Sequence, residues 1–214
     1  MIRPALRLIP GSSPKRAEGG RIERDRALAD GVAKGDHQAI SALTTRCLNL
    51  VTALATRTLN DRAEAEDVAQ DTFLKVWRKI DQFDPERAKL ESWVARIALN
   101  LCYDRLRKRG ESLLDGEFPD RVDETASAEG SLSEADMARR VRAVVAQLPP
   151  RQRAALELCH FQECSNIEAA EILGVSVDAV ESLLARARRK LKSELQAQHN
   201  EMLEGFAMGH GGEA

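Results

Sequence analysis

The stretch "GVSVDAVESLLARARRKL", residues 174–191, decides how the chain is read. Gly174 permits a positive φ, Ser176 is a good N-cap, and a regular helical pattern follows. At about 100° per residue, Val177, Val180, Leu184, Ala187, Leu191 and Leu195 form one apolar stripe. The opposite face holds Asp178, Ser182, Ala185, Arg186 and Arg189, with Ala179 at its edge. Arg186, Arg188, Arg189, Lys190 and Lys192 crowd five bases into seven residues, a density suited to phosphate contact. Upstream, Ala170, Gly174 and Val180 stand at the spacing A-x3-G-x5-V. That is a helix-turn-helix skeleton: a small residue where two helices cross, a glycine in the turn, and an apolar plug. The candidate DNA-reading residues are Asp178, Ser182, Ala185, Arg186, Arg189 and Lys190. Asp178 in the first turn stabilises the helix whether or not it meets a base. Glu181 projects to the flank, and either acid could accept from a cytosine amino group.

The chain as a whole carries a net charge of −2, which is unusual for a DNA-binding protein. The charge is segregated. Residues 111–136 contain nine acids and one base, a net −8, which leaves +6 on everything else. The acidic total therefore does not exclude nucleic acid as a partner.

Working outward, the pattern is helical throughout, and no hairpin signals interrupt it. We read an all-α protein of two small helical domains joined by a flexible acidic linker. Residues 1–24 are expected to be a disordered extension, 25–109 the first domain, 110–133 the linker, 134–198 the second domain and 199–214 a flexible tail. Breaks at "KGD" (34–36), "LND" (59–61) and "FDPE" (83–86) divide the first domain. In the second, "SEADMARRVRAVVAQLPP" starts at a Ser133 cap and stops at Pro149, after which Pro150 can open the next helix.

After "LND", Asp61 and Glu64 form an Asp-type capping box. Ala65, Val68, Ala69, Thr72, Phe73, Val76 and Ile80 then share one face. The other face carries Asp67, Gln70, Asp71, Leu74 and Arg78. Leu74 is an apolar residue among carboxylates. A lone exposed leucine means little, but a rim of charge around it is how a protein interface is built. The following segment, "ESWVARIALNLCYDRLRKRG", buries Trp93, Val94, Ile97, Ala98, Leu101 and Cys102. It ends on Arg105, Arg107, Lys108 and Arg109, more bases than a helix dipole requires. A phosphate-contacting patch accounts for the surplus.

No nucleophile, phosphate-loop or metal-protease motif is found, so no catalytic residue and no cofactor are expected. In "CHFQEC", Cys159, His160 and Cys164 are zinc-capable side chains. However, neighbouring helical residues diverge by about 100° and no fourth ligand is evident, so no metal is expected. The four cysteines are dispersed and suit reduced thiols in a cytoplasmic protein, and three of them sit inside apolar helical patterns as small core residues. No apolar run reaches the roughly 20 residues of a membrane helix, so no membrane insertion is expected. The N-terminus "MIRPALRLIPGSSPKRAEGG" lacks the apolar core of a secretory signal and has only a faint likeness to a transit peptide.

The block "DRAEAEDVAQDTFLKVWRKIDQFDPERAKLESWVARIALNLCYDRLRKR" resembles the second conserved region of bacterial extracytoplasmic-function sigma factors. The block "LPPRQRAALELCHFQECSNIEAAEILGVSVDAVESLLARARRKL" resembles their fourth region. The two blocks stand in the right order with a linker between them, and together they span most of residues 25–195. The resemblance implies a transcription initiation factor without enzymatic activity, whose partners are core RNA polymerase, promoter DNA and an anti-sigma factor. It implies that Asp67, Gln70, Asp71, Leu74 and Arg78 meet core polymerase. It assigns the promoter −10 element to residues around "FDPERAKLESW", among them Trp93, with Asn100, Tyr103, Arg105 and Lys108, and the −35 element to the helix quoted first. The acidic linker would thread toward the polymerase cleft. Two positions depart from the family pattern. Glu163 stands where many members have glycine, so it either takes a left-handed turn or extends the helix. Glu181 stands where many have a base, so −35 specificity cannot be carried over. Three other readings stay open: a decoy that binds an anti-sigma factor without polymerase, a plain helix-turn-helix repressor, and a sensor using Cys159, His160 and Cys164.

Overall fold

A computed structural model describes the backbone of residues 14–110 and 134–209. Within them the chain is built from helices: α1 (Pro14–Ala33), α2 (His37–Leu59), α3 (Arg62–Lys79), α4 (Leu90–Lys108), α5 (Glu134–Ala146), α6 (Pro150–Leu156), α7 (Asn166–Leu173) and α8 (Val177–Gly209). A short 3₁₀ turn, Ile80–Gln82, follows α3, and a π turn, Glu157–Phe161, follows α6. The expected linker and the Ser133 cap lie outside the described residues.

Among the described residues, helix extends beyond the domain bounds expected from the sequence on both sides. Helix α1 starts at Pro14, inside the extension expected to be disordered. Its anchor is Asp25, whose carboxylate is buried between Arg21 (3.0 Å) and Arg46 (2.8 Å). Arg21 also donates to the carbonyl of Pro85 at 3.3 Å, tying α1 to the loop before α4. Helix α8 runs on to Gly209, through the expected tail, because "SELQAQHNEML" contains neither glycine nor proline to stop it.

Helices α2, α3 and α4 make the first bundle. All seven residues assigned to the buried face of α3, Ala65 through Ile80, are buried. Helix α2 is long and apolar enough to cross a membrane by length and composition, which corrects the reading of the sequence alone. Its apolar side, from Leu43 through Val51 to Leu54, is spent on the bundle core. At α3, Asp61 accepts from the Glu64 amide at 3.0 Å. The Glu64 carboxylate turns instead to Arg109, so the capping box is half made. A complete box sits on α7, where Ser165 and Glu168 cap each other reciprocally. Its S-x-x-E signature is plain in "SNIE".

The helix-turn-helix is α7–Gly174–α8. Gly174 has φ +68° and its amide bonds the Ala170 carbonyl at 2.9 Å. Ser176 Oγ accepts from the Ala179 amide at 3.2 Å, which caps α8. Glu163 takes the left-handed conformation, with φ +53°. The Cys164 amide bonds the Leu158 carbonyl at 2.9 Å. This is a Schellman-like cap lengthened by one residue by the π turn before it, with glutamate in the left-handed place glycine usually fills.

The two domains are packed together. One continuous apolar cluster includes Leu54, Leu99 and Leu106 of the first domain and Leu148, Ala155, Leu158 and Leu183 of the second. Polar pins reinforce it. Glu157, 3% exposed, pairs with Arg57 at 3.1 Å. The Arg57 guanidinium also stands 4.6 Å above the Phe161 ring. Buried Arg153 donates to the Thr58 carbonyl at 2.7 Å and to the Ala146 carbonyl at 2.6 Å. Lys89 pairs with Glu168.

Candidate nucleic-acid and protein interfaces

On α3, Asp67, Gln70, Leu74 and Arg78 are exposed and Asp71 is half-buried. Leu74 is 43% exposed, and so is its helical neighbour Trp77, at 39%. The two lie three residues apart, one above the other, and make a continuous apolar spot in a charged rim. Trp77 was missed in the sequence because the apolar stripe of α3 claims Phe73, Val76 and Ile80 around it. Its own angle, close to that of Gln70 and Leu74, was the available signal.

The residues singled out on α4 are split. Asn100 and Lys108 are exposed. Trp93 is half-buried with its ring 5.5 Å from Phe83 at a 50° tilt. The basic end of the helix is paired with acids. Arg105 bonds Asp71 at 2.8 Å and approaches Asp67 at 3.6 Å. Arg107 pairs with Asp104, and Arg109 with Asp61 and Glu64. Two acids of the α3 face are thus bound to a base assigned to DNA. The surplus of bases on α4 answers the acids of α3, which a reading of α4 by itself could not register.

Tyr103 is buried at 9% exposure. Arg151 of α6 lies 6.0 Å from its ring centroid. Its hydroxyl has no hydrogen-bond partner among the described residues, an arrangement that costs on the order of 1–3 kcal/mol. Burial pushes its pKa well above the usual tyrosine range. In this arrangement Tyr103 is not open to a base, and Arg151 of the second domain is among its neighbours.

The α8 face is open. Asp178, Ser182, Ala185, Arg189 and Lys190 are exposed, and Arg186 is half-buried with its Nε donating to the Ser182 carbonyl at 3.3 Å. Lys190 reaches the Gln147 carbonyl at 3.4 Å. Glu181 accepts from Asn166 at 3.4 Å, across the flank of the motif. Arg188 lies 3.3 Å from His160 Nε2. A guanidinium can only donate, so in this contact the ring nitrogen is the acceptor.

All four thiols are held protonated at neutral pH. Burial raises Cys47 and Cys102 to about 12 and Cys164 to about 11, the last aided by the Glu168 charge, and it raises Cys159 as well. Such thiols are poor nucleophiles and poor metal ligands. Cys159 Sγ lies 3.8 Å from the side-chain Oδ1 of Asn166, and among the described residues no three metal-capable groups gather.

A family model described as Sigma-70 region 2 matches residues 43–111, and one described as Sigma-70, region 4 matches residues 138–191. The ECF RNA polymerase sigma factor SigW of Bacillus subtilis is 30% identical over 77% of this chain and 93% of its own length. The chain belongs to the extracytoplasmic-function (ECF) family of RNA polymerase sigma factors. Another relative, the RNA polymerase sigma factor CnrH of Cupriavidus metallidurans, is 34% identical over 82% of this chain and 96% of its own. The structure of CnrH in complex with the cytosolic domain of CnrY superposes with a TM-score of 0.58 at 31% identity, covering 81% of this chain and 97% of CnrH. The sigma factor RpoE from Bartonella quintana, in complex with the anti-sigma factor NepR, gives 0.55 at 30% identity, covering 72% and 94%. As an ECF sigma factor the chain directs RNA polymerase to promoters. Region 2 therefore spans α2 to α4, and region 4 spans α5 to the basic part of α8.

Proposed function

We propose that this sigma factor binds core polymerase through the α3 face, with Leu74 and Trp77 as its apolar centre and Asp67, Gln70, Asp71 and Arg78 as its rim. Region 2 reads and melts the −10 element with Trp93, Asn100, Tyr103, Arg105 and Lys108. Melting needs no chemistry, only pockets that hold unstacked bases at a cost of a few kcal/mol each. Region 4 reads the −35 element in the major groove with Ser182, Ala185, Arg186, Arg189 and Lys190, while Asp178 stabilises the first turn of α8. The protein acts in the cytoplasm, is no enzyme and needs no cofactor. An anti-sigma factor restrains it, as CnrY and NepR accompany the sigma factors in the related complexes. The observation that carries this assignment is one chain presenting two distinct open faces: an apolar spot in an acidic rim on α3, and a basic recognition helix on α8. A helix-turn-helix repressor would have no use for the first.

Replacing Leu74 by Asp tests the assignment. The substitution leaves the bundle core untouched. It should weaken binding to core polymerase by at least about tenfold, since a charge replaces the interface centre, with unchanged helical circular dichroism. Unaltered affinity would remove this face from the interface.

A further inference from the structure

The loop before α4, residues 83–89, opens the stretch assigned to the −10 element, and α1 grips it along its whole length. At its start, Phe83 is buried in one apolar cluster with Ala29 and Val32 of α1 and with Leu90 and Val94 of α4. Its ring lies 5.5 Å from that of Trp93. In the middle, Arg21 donates to the Pro85 carbonyl at 3.3 Å, and Arg26 donates to the Glu86 carboxylate at 2.8 Å. At the end, Asp25 accepts from the Leu90 amide at 3.4 Å. That last contact supplies what α4 lacks. Its N-cap is Lys89, which makes no side-chain cap bond, since an ammonium has no acceptor to offer an amide. Asp25, from a distant part of the chain, brings the carboxylate that a helix N-terminus favours. Asp25 is itself fixed. It is fully buried, and Arg21 and Arg46 hold its two oxygens. Arg46 also bonds Glu91 in the first turn of α4. A group so enclosed does not meet DNA, and α1 lies ahead of the residues matched to region 2, 43–111. What Asp25 and Arg21 control is the backbone from Pro85 to Leu90.

We propose that Asp25 and Arg21 are positioning residues for promoter reading: through them α1 holds the 83–89 loop and the Trp93 end of α4 in the arrangement that discriminates −10 bases. This rests on the assignment of that loop and Trp93 to the −10 element. A site that tells one base from another needs its walls fixed to about half an ångström. A surface loop released from its tethers does not keep that precision. Loosening the grip therefore lowers discrimination at −10 and leaves the recognition helix of region 4 as it was.

The test uses the full-length chain with core polymerase. Transcript starts on genomic DNA give the promoter most used by the wild type, and single-base changes in its −10 and −35 elements make the templates. The readout is the ratio of initiation rates, parent over changed template, from which the amount of active protein cancels. A chain that is merely less stable therefore keeps its ratios. The wild type should prefer the parent by about tenfold for a −10 base, the worth of one mismatched pair. Arg21→Lys keeps a charge beside Asp25, but one ammonium lacks the fork that holds a carboxylate and the Pro85 carbonyl together. It should lower the −10 ratio to about threefold, half the free energy of a tenfold preference. The −35 ratio and the midpoint of urea unfolding should not move. Asp25→Asn should lower the −10 ratio at least as far, and Arg21→Lys covers the case that this buried substitution does not fold. Unchanged −10 ratios in the α1 variants overturn the proposal. So do −10 and −35 ratios that fall together, because the grip reaches only the −10 loop. Trp93→Ala separates the proposal from the reading beneath it. If its −10 ratio is that of the wild type, the reading fails and the proposal falls with it. If that ratio drops while those of the α1 variants stay, the reading stands and the proposal alone is overturned.

Discussion

Glu163 shows how a single residue can strain against its place. It sits at φ +53°, closing the cap that follows the π turn. A side chain in the left-handed region is disfavoured, and glycine is the usual occupant. Glu163→Gly should therefore stabilise the protein, by about 0.5–1 kcal/mol once the greater freedom of glycine in the unfolded chain is subtracted. The check is a urea unfolding curve, in which the midpoint should rise with the slope unchanged. A lower midpoint would mean that the glutamate side chain contributes more than the turn costs. The sequence offered two outcomes at this position, a turn or a longer helix. It could not choose, because the choice depends on the Cys164 amide finding the Leu158 carbonyl, a contact made only once α6 and α7 are in place.

At the scale of elements, the periodic helices were legible and the pairings between them were not. The apolar stripe of α8 and the buried face of α3 follow from spacing alone, since a fixed angle per residue sorts core from surface. Arg105 shows the limit. Within α4 it reads as one of four clustered bases, while in the fold it belongs to Asp71 and Asp67. Which base stays free for DNA is set by the neighbouring helix. The basic face of α8 is different, because Ser182 and Arg189 are exposed there. Arg186 stands on the same face, and its side chain lies back over the Ser182 carbonyl. Substituting Arg186 by Ala should weaken protection of the −35 element in a footprint by about tenfold, the worth of one good base or phosphate contact. Protection equal to that of the wild type would exclude it from the reading face.

The whole molecule differs most from its sequence. An acidic tether between two basic domains suggests independent bodies, yet the domains share one apolar cluster. That could not be read from periodicity, because residues such as Leu99, Leu106 and Leu158 serve equally well inside one domain or between two. The packing of the two domains should respond to pH through Lys89 and Glu168. The Lys89 ammonium, then the Ser165 amide, hold the Glu168 carboxyl at about 2, below its ordinary 4.5. A lowered carboxyl pKa gives stabilisation that is complete above about 4.5 and lost as pH falls through about 2. The same bond raises Lys89 above its ordinary 10.5, so its share is complete below 10.5 and lost only as pH rises through the raised value. Neutral pH lies inside both windows. Lowering the pH from 7 to 3 should loosen the domain packing in the wild type more than in Lys89→Gln, read as a larger rise in radius of gyration by small-angle X-ray scattering. Equal responses would show that this pair does not hold the domains.

As an ECF sigma factor, this chain brings RNA polymerase to promoters. The measurement that tests this most directly is reconstitution of the purified chain with core polymerase on genomic templates, followed by sequencing of transcript starts. Starts should fall at a restricted set of sites that share −10 and −35 elements, and should be lost when Leu74 is replaced by Asp. An absence of run-off product from every template, with core polymerase shown active, would contradict it.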